Sequence, residues 1–196
     1  MQENSREVVV IGGSLGGMDA VGKILHDLPY DFAMPIVIVL HRLKNVKSAL
    51  VPLLDQRSGL PVTEIEDKME MHNGMVYVAP ANYHVLIEKE RTFALDCSPP
   101  VNYCRPSIDV MFESAAAVLG SKLIGVILTG ANHDGSKGLS LISKQGGTAL
   151  VQDPATAESD IMPVAAIQLT EKCEVMDISG IKSFLIAVSN ETRKNK

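Results

Sequence analysis

Val8-Val9-Val10-Ile11-Gly12-Gly13-Ser14-Leu15-Gly16-Gly17 is the stretch whose reading decides the fold. Four β-branched residues in succession leave no polar face, as expected of a strand buried on both sides. The glycines that follow permit a sharp turn. An amphipathic run over residues 18–28 then reads as a helix, stopped by Pro29. Strand, glycine turn and helix in that order form the opening of a parallel α/β unit.

The same grammar repeats outward from that stretch. Residues 35–40 form a second apolar run that ends in His41-Arg42, and residues 46–57 read as a helix closed by Ser58-Gly59. Shorter strands are expected at 62–65 and 75–79. Residues 85–88 and 92–96 read as an antiparallel hairpin. A helix is expected over 106–119, with Pro106 near its N-terminus. The third buried strand, 123–128, runs into Thr129-Gly130-Ala131-Asn132-His133-Asp134-Gly135 and a helix over 136–145. A strand at 148–152 and a helix–strand–helix set at 162–169, 174–178 and 181–188 complete the pattern. Residues 191–196 read as a solvated tail. Strands alternating with helices imply a doubly wound, mostly parallel sheet with helices on both faces. The antiparallel hairpin is an insertion, and one domain over residues 1–196 is expected.

Composition narrows the classes. The 196 residues are 46% hydrophobic and 21% charged, which is too apolar for a disordered chain. A net charge of -5 and a pI near 5.5 argue against nucleic acid as a partner. Aromatic residues make up 4% and Trp is absent, so a stacking platform for bases is not expected. No run reaches the ~18–20 apolar residues of a membrane span, and residues 1–7 lack the character of a signal peptide. Cys97, Cys104 and Cys173 form no C-x-x-C pair, which points to reduced thiols in a cytoplasmic protein and to no metal. A catalytic cysteine is the sharper alternative.

Ligands of open parallel sheets bind beyond the carboxyl ends of the strands. Three reactive groups follow strands here: Ser14, His41 and Asp134. A hydroxyl, an imidazole and a carboxylate suit acyl transfer. The imidazole takes the serine proton, and the carboxylate fixes the tautomer and steadies the imidazolium. Gly12-x-Ser14-x-Gly16 has the form of a nucleophile turn, and the Leu15 N–H is a natural oxyanion donor. Each residue also has a plainer reading. The turn could bind phosphate, although it is not G-x-G-x-x-G and has no Walker lysine, so no cofactor is expected. His41 could be a hydrogen-bonded core histidine, and Asp134-Gly135 a tight turn at a helix start. His133 competes with His41 as the base, and Asp153 with Asp134 as the orienting group or as a loop-shaping residue. His26, His72 and His84 read as exposed or structural, and Met69, Met71 and Met75 as core filler.

Together these segments resemble the catalytic domain of the chemotaxis protein-glutamate methylesterase (CheB) family. The resemblance rests on Ile11 to Gly17, Val39-Leu40-His41, Val76 to His84, Arg105 to Phe112, Leu128 to Gly135 and Gln152 to Glu158. It implies Ser14 as nucleophile, His41 as general base and acid, and Asp134 as orienting carboxylate. It also implies oxyanion donors in the backbone N–H groups of Leu15 and Ala131. The implied substrate is the γ-methyl ester of glutamate on chemoreceptor cytoplasmic helices, with glutamine deamidation as a related activity. A separate receiver or other chemotaxis signalling protein is a further implied partner. Arg105 is expected either to hold an acidic substrate or to pack the hairpin.

The chain departs from the family pattern in three places. Leu15 stands where the family has Thr, and Gly130-Ala131-Asn132 replaces Gly-Met-Gly. No receiver domain is expected, since residues before Val8 leave no room for one. The alternatives to an esterase are a catalytically weak or silent CheB-like interaction module, a generic α/β-hydrolase and a nucleotide-binding domain.

Overall fold

The computed structural model describes residues 6–41 and 49–194. Nine strands and six α-helices are found among them: β1 (Val8–Gly13), α1 (Gly17–Leu25), β2 (Ile36–Leu40), α2 (Leu50–Arg57), β3 (Val62–Glu64), β4 (Val76–Val78), β5 (His84–Ile87), β6 (Phe93–Asp96), α3 (Ile108–Leu119), β7 (Leu123–Ile127), α4 (Ser136–Lys144), β8 (Thr148–Gln152), α5 (Ile161–Leu169), β9 (Glu174–Met176) and α6 (Ile178–Lys194). Seven strands form one parallel sheet in the order β3-β4-β2-β1-β7-β8-β9. The remaining two, β5 and β6, pair antiparallel as the expected hairpin.

β1, β2 and β7 are buried along their whole length, which explains their unbroken apolar sequence. Their side chains alternate between two cores. Val8, Val10, Val37, Val39 and Ile127 pack with Met111 and Phe112 of α3. Val9, Ile11, Ile36, Ile38 and Val126 pack with Val21 and Ile24 of α1. Full burial of each such side chain contributes roughly 1.5–3 kcal/mol. The hairpin covers the α3 side: Val85, Ile87 and Phe93 join that core, and the Ile87 N–H donates to Ser114 Oγ at 3.1 Å.

Two sequence expectations are corrected. The helix expected over 106–119 begins at Ile108, because Ser107 is its N-cap and accepts from the Val110 N–H; Pro106 lies outside it, after a cis bond to Arg105. The expected tail is largely helix, since α6 runs to Lys194. Ser189 and Thr192 are buried there, and Ser189 Oγ accepts from the Ala33 N–H at 2.8 Å. The polar sequence of that turn hides a packed face. The helix expected from residue 46 is described only from Leu50, and residues 46–48 lie outside the described residues.

Candidate active site

The chain runs outward from β1 to β2 on one side and returns to β7 on the other. The sheet therefore has its topological switch beside β1, where ligands of such sheets bind. Ser14 directly follows β1 and His41 directly follows β2. Gly13 is in register with Leu40, so the two residues leave adjacent strand ends side by side. The His41 N–H donates to the Gly13 carbonyl at 3.3 Å. The alternation along β1 and β2 turns both side chains to the α3 face, the side of Val10 and Val39.

Asp134 arrives from the loop between β7 and α4 and is 1% exposed. Its Oδ2 accepts from His41 Nε2 at 2.8 Å and from the Ile108 N–H at 2.7 Å. Its Oδ1 accepts from Ser107 Oγ at 2.8 Å and the Asp109 N–H at 3.2 Å. The carboxylate thus caps α3, whose first N–H groups and dipole favour negative charge. Burial works against that charge, but the bonds from His41, Ile108, Ser107 and Asp109 outweigh it and hold the carboxyl below its ordinary range. Burial likewise disfavours the His41 imidazolium. The bonds to Asp134 and then to Cys104 more than offset this, and the imidazole is pushed up to about 9.

The other imidazole nitrogen, Nδ1, faces two groups. Asn132 Nδ2 lies 3.1 Å away and Cys104 Sγ 3.7 Å away. Asn132 Oδ1 accepts from the Asp134 N–H at 3.0 Å, which fixes the amide with its N–H toward Nδ1. Nε2 therefore carries the proton toward Asp134 in the neutral ring, and Nδ1 is the unprotonated nitrogen that accepts from the Asn132 amide. Among the described residues, Ser14 Oγ has no hydrogen-bond partner. The structure joins His41 to Asp134 and sets Ser14 beside them without a Ser14–His41 hydrogen bond.

The turn after Ser14 is built to expose backbone donors. Gly16 has φ 75° and ψ -10°, and the Gly17 N–H donates to the Ser14 carbonyl at 2.8 Å, which fits a type II turn. Thr129 Oγ1 donates to the Leu15 carbonyl at 2.9 Å, and the Thr129 carbonyl accepts from the Ser14 N–H at 3.0 Å. Gln152, buried, holds the Thr129 N–H at 2.9 Å. Gly130 packs so close to Ser14 that a Cβ on it would lie 3.0 Å from the serine Cβ. Among the described residues, the N–H groups of Leu15 and Ala131 have no protein acceptor.

Other expected residues are sorted by the same geometry. His133 is exposed, and Asp153 accepts from the Ala155 N–H at 2.9 Å as a loop-shaping residue. His84 is buried, bonded to the Ser107 N–H and the Pro99 carbonyl, and is structural. Arg105 spends four of its five N–H donors on Asn82 Oδ1 and the carbonyls of Cys97 and Ser98, the pattern of the packing alternative. The sequence offered a catalytic cysteine and the altered Gly130-Ala131-Asn132 loop only in general terms, and did not place Cys104 or Asn132 against His41 or Gln152 against Thr129. His41, Cys104 and Asp134 offer donor atoms within 4.8 Å of one another. The Asp134 oxygens are already filled by four close donors, so the set fits a hydrogen-bonded pair better than a metal centre.

The family model described as CheB methylesterase matches residues 9–185. A Leptospira interrogans protein named as a protein-glutamate methylesterase/protein-glutamine glutaminase is 45% identical over 190 residues, covering 97% of this chain and 98% of its own. A similarly named Symbiobacterium thermophilum protein is 37% identical over 90% of this chain, which spans 49% of that relative. The crystal structure of the Thermotoga maritima CheB methylesterase catalytic domain superposes with a TM-score of 0.88 at 35% identity, covering 94% of this chain and 99% of that one. The chain belongs to the CheB methylesterase family.

Proposed function

We propose that this chain is a protein-glutamate methylesterase that hydrolyses glutamyl γ-methyl esters on chemoreceptor cytoplasmic helices, and that it acts in the cytoplasm. The observation that carries the site assignment is the 2.8 Å bond from His41 Nε2 to a buried Asp134, placed one strand away from Ser14. Ser14 Oγ attacks the ester carbonyl and His41 Nδ1 takes its proton. The N–H groups of Leu15 and Ala131 receive the oxyanion. Collapse expels methoxide, which leaves as methanol with the proton from His41. Water, activated by the same nitrogen, then clears the acyl-serine and restores the Ser14 hydroxyl. A glutamine side chain follows the same course with ammonia as the leaving group. No helix among the described residues is long and apolar enough to cross a membrane.

Methanol release from a methylated receptor tests this reading. Wild type should release methanol, and Ser14→Ala, with an unchanged fold by circular dichroism, should release none above background. Release by the variant at a wild-type rate sinks the assignment.

One observation favours the silent-module reading: the Asn132 amide occupies the nitrogen that Ser14 would use. A serine-directed phosphonate discriminates. The esterase reading expects a covalent adduct on Ser14, and the module reading expects none.

A further inference from the structure

Cys104 reaches the site through a two-residue turn. Val101 and Cys104 exchange both backbone hydrogen bonds, at 3.1 and 2.8 Å. Asn102 and Tyr103 between them have φ 50° and 64°, as the primed hairpin turns require. Asn102 Nδ2 anchors the turn on Asp109 Oδ2 at 3.1 Å. The result sets Cys104 Sγ 3.7 Å from His41 Nδ1, with Asn132 Nδ2 donating to the sulfur at 3.5 Å. A thiol, an imidazole and a buried carboxylate in line are the arrangement that activates a cysteine.

We propose that Cys104 is an activated thiol sharing the His41 imidazole with Ser14, and a modification site for low-molecular-weight disulfides. The thiol gives its proton to Nδ1, and Asp134 steadies the imidazolium through Nε2. The thiolate attacks one sulfur of R–S–S–R. The Cys104–S bond forms as the S–S bond breaks, and the leaving thiolate takes the proton from His41 and departs as R–SH. Cys104 is oxidised and half of the disulfide is reduced, so an added thiol reverses the step. The adduct sits against the nitrogen that would serve Ser14, so esterase turnover stops while it is present. This last consequence rests on the esterase reading, whereas the modification rests on the cluster alone.

Other groups around the thiol do not supply the activation. Asp134 lies beyond the ring and Asp109 beyond Asn102. The Arg105 guanidinium is bound to Asn82 and to the carbonyls of Cys97 and Ser98. Cys97 is exposed and Cys173 partly buried, so both serve as internal references.

Limiting iodoacetamide, with mass spectrometry of each cysteine peptide, tests the site without any substrate. At pH 7, Cys104 should be alkylated at least about tenfold faster than the more exposed Cys97. His41→Ala, checked for its fold, should remove that excess. A Cys104 rate no greater than that of Cys97 overturns the proposal. Oxidised glutathione should then add one equivalent at Cys104 and abolish methanol release, with recovery on adding dithiothreitol. Turnover of Cys104→Ser should not respond to the disulfide. A labelled Cys104 in a protein that never releases methanol upholds the thiol site and removes the esterase reading instead. A Cys104 adduct that leaves turnover intact overturns the shared-imidazole inference.

Discussion

Asp134 is both the partner of His41 and the cap of α3, so its charge serves the site and the fold together. Replacing it with Asn keeps the shape and removes the charge. Turnover should fall about 10³–10⁴-fold, because the imidazole loses its fixed tautomer and its counter-charge. Thermal stability should fall by roughly 1–3 kcal/mol, because buried donors lose their acceptor. The pH dependence follows from the same pair. A base held up to about 9 is mostly protonated near neutrality, so kcat/KM should climb by about tenfold per pH unit and level near pH 9. In Asp134→Asn the limb should move to lower pH. Stability runs the other way. The raised His41 stabilises the fold fully below its unfolded value of 6.5, and that contribution is lost as pH rises through about 9. The lowered Asp134 contributes above its unfolded value of 3.8 and loses that as pH falls through its folded value. The pair should therefore support the fold most between about pH 4 and 6.5, where activity is low. Melting temperatures of wild type and His41→Gln across pH 4–10 check this: their difference should shrink above pH 7.

At the scale of elements, the turn between β1 and α1 does the positioning. Gly16 holds a left-handed backbone, and a Cβ there would meet Glu158 and Thr129 as well. Gly16→Ala should cost about 1–2 kcal/mol, the usual penalty for a side chain in that region. Because the same turn aims the Leu15 N–H, kcat should drop at least tenfold with KM little changed. A denaturant titration beside steady-state kinetics separates the two effects. This turn was legible in the sequence, as were β1, β2 and β7, because a strand buried on both faces must be apolar throughout. The end of α6 was not legible. It buries hydroxyls of Ser189 and Thr192 rather than apolar side chains, so no hydrophobic period marks it. The turn that delivers Cys104 was equally silent, since Asn102-Tyr103 takes positive φ without a glycine to announce it.

Over the whole molecule, the parallel sheet explains why the juxtaposition of Ser14 and His41 follows from the strands alone. Parallel register brings the residues after β1 and β2 together at one edge, so Ser14 and His41 needed only their strands to be recognised. Asn132 and Cys104 needed tertiary contacts between segments 28 residues apart, which no local pattern records. The same edge carries an apolar rim. Leu15 is 51% exposed beside Ser14, and Tyr103 is fully exposed beside Cys104. Ile161 is 43% exposed next to Met162, whose N–H holds the Gly130 carbonyl. Apolar side chains left in water around a reactive group suit a protein substrate that covers them on docking. They contribute nothing to a small ester that occupies only the space at Ser14. Ile161→Asp and Tyr103→Asp should therefore raise KM for a methylated receptor helix about tenfold or more. Both should hydrolyse p-nitrophenyl acetate at a rate within about twofold of wild type. Equal losses on both substrates would place the rim in the chemistry rather than in docking. No loss on either would move the protein-binding surface to another face of the sheet.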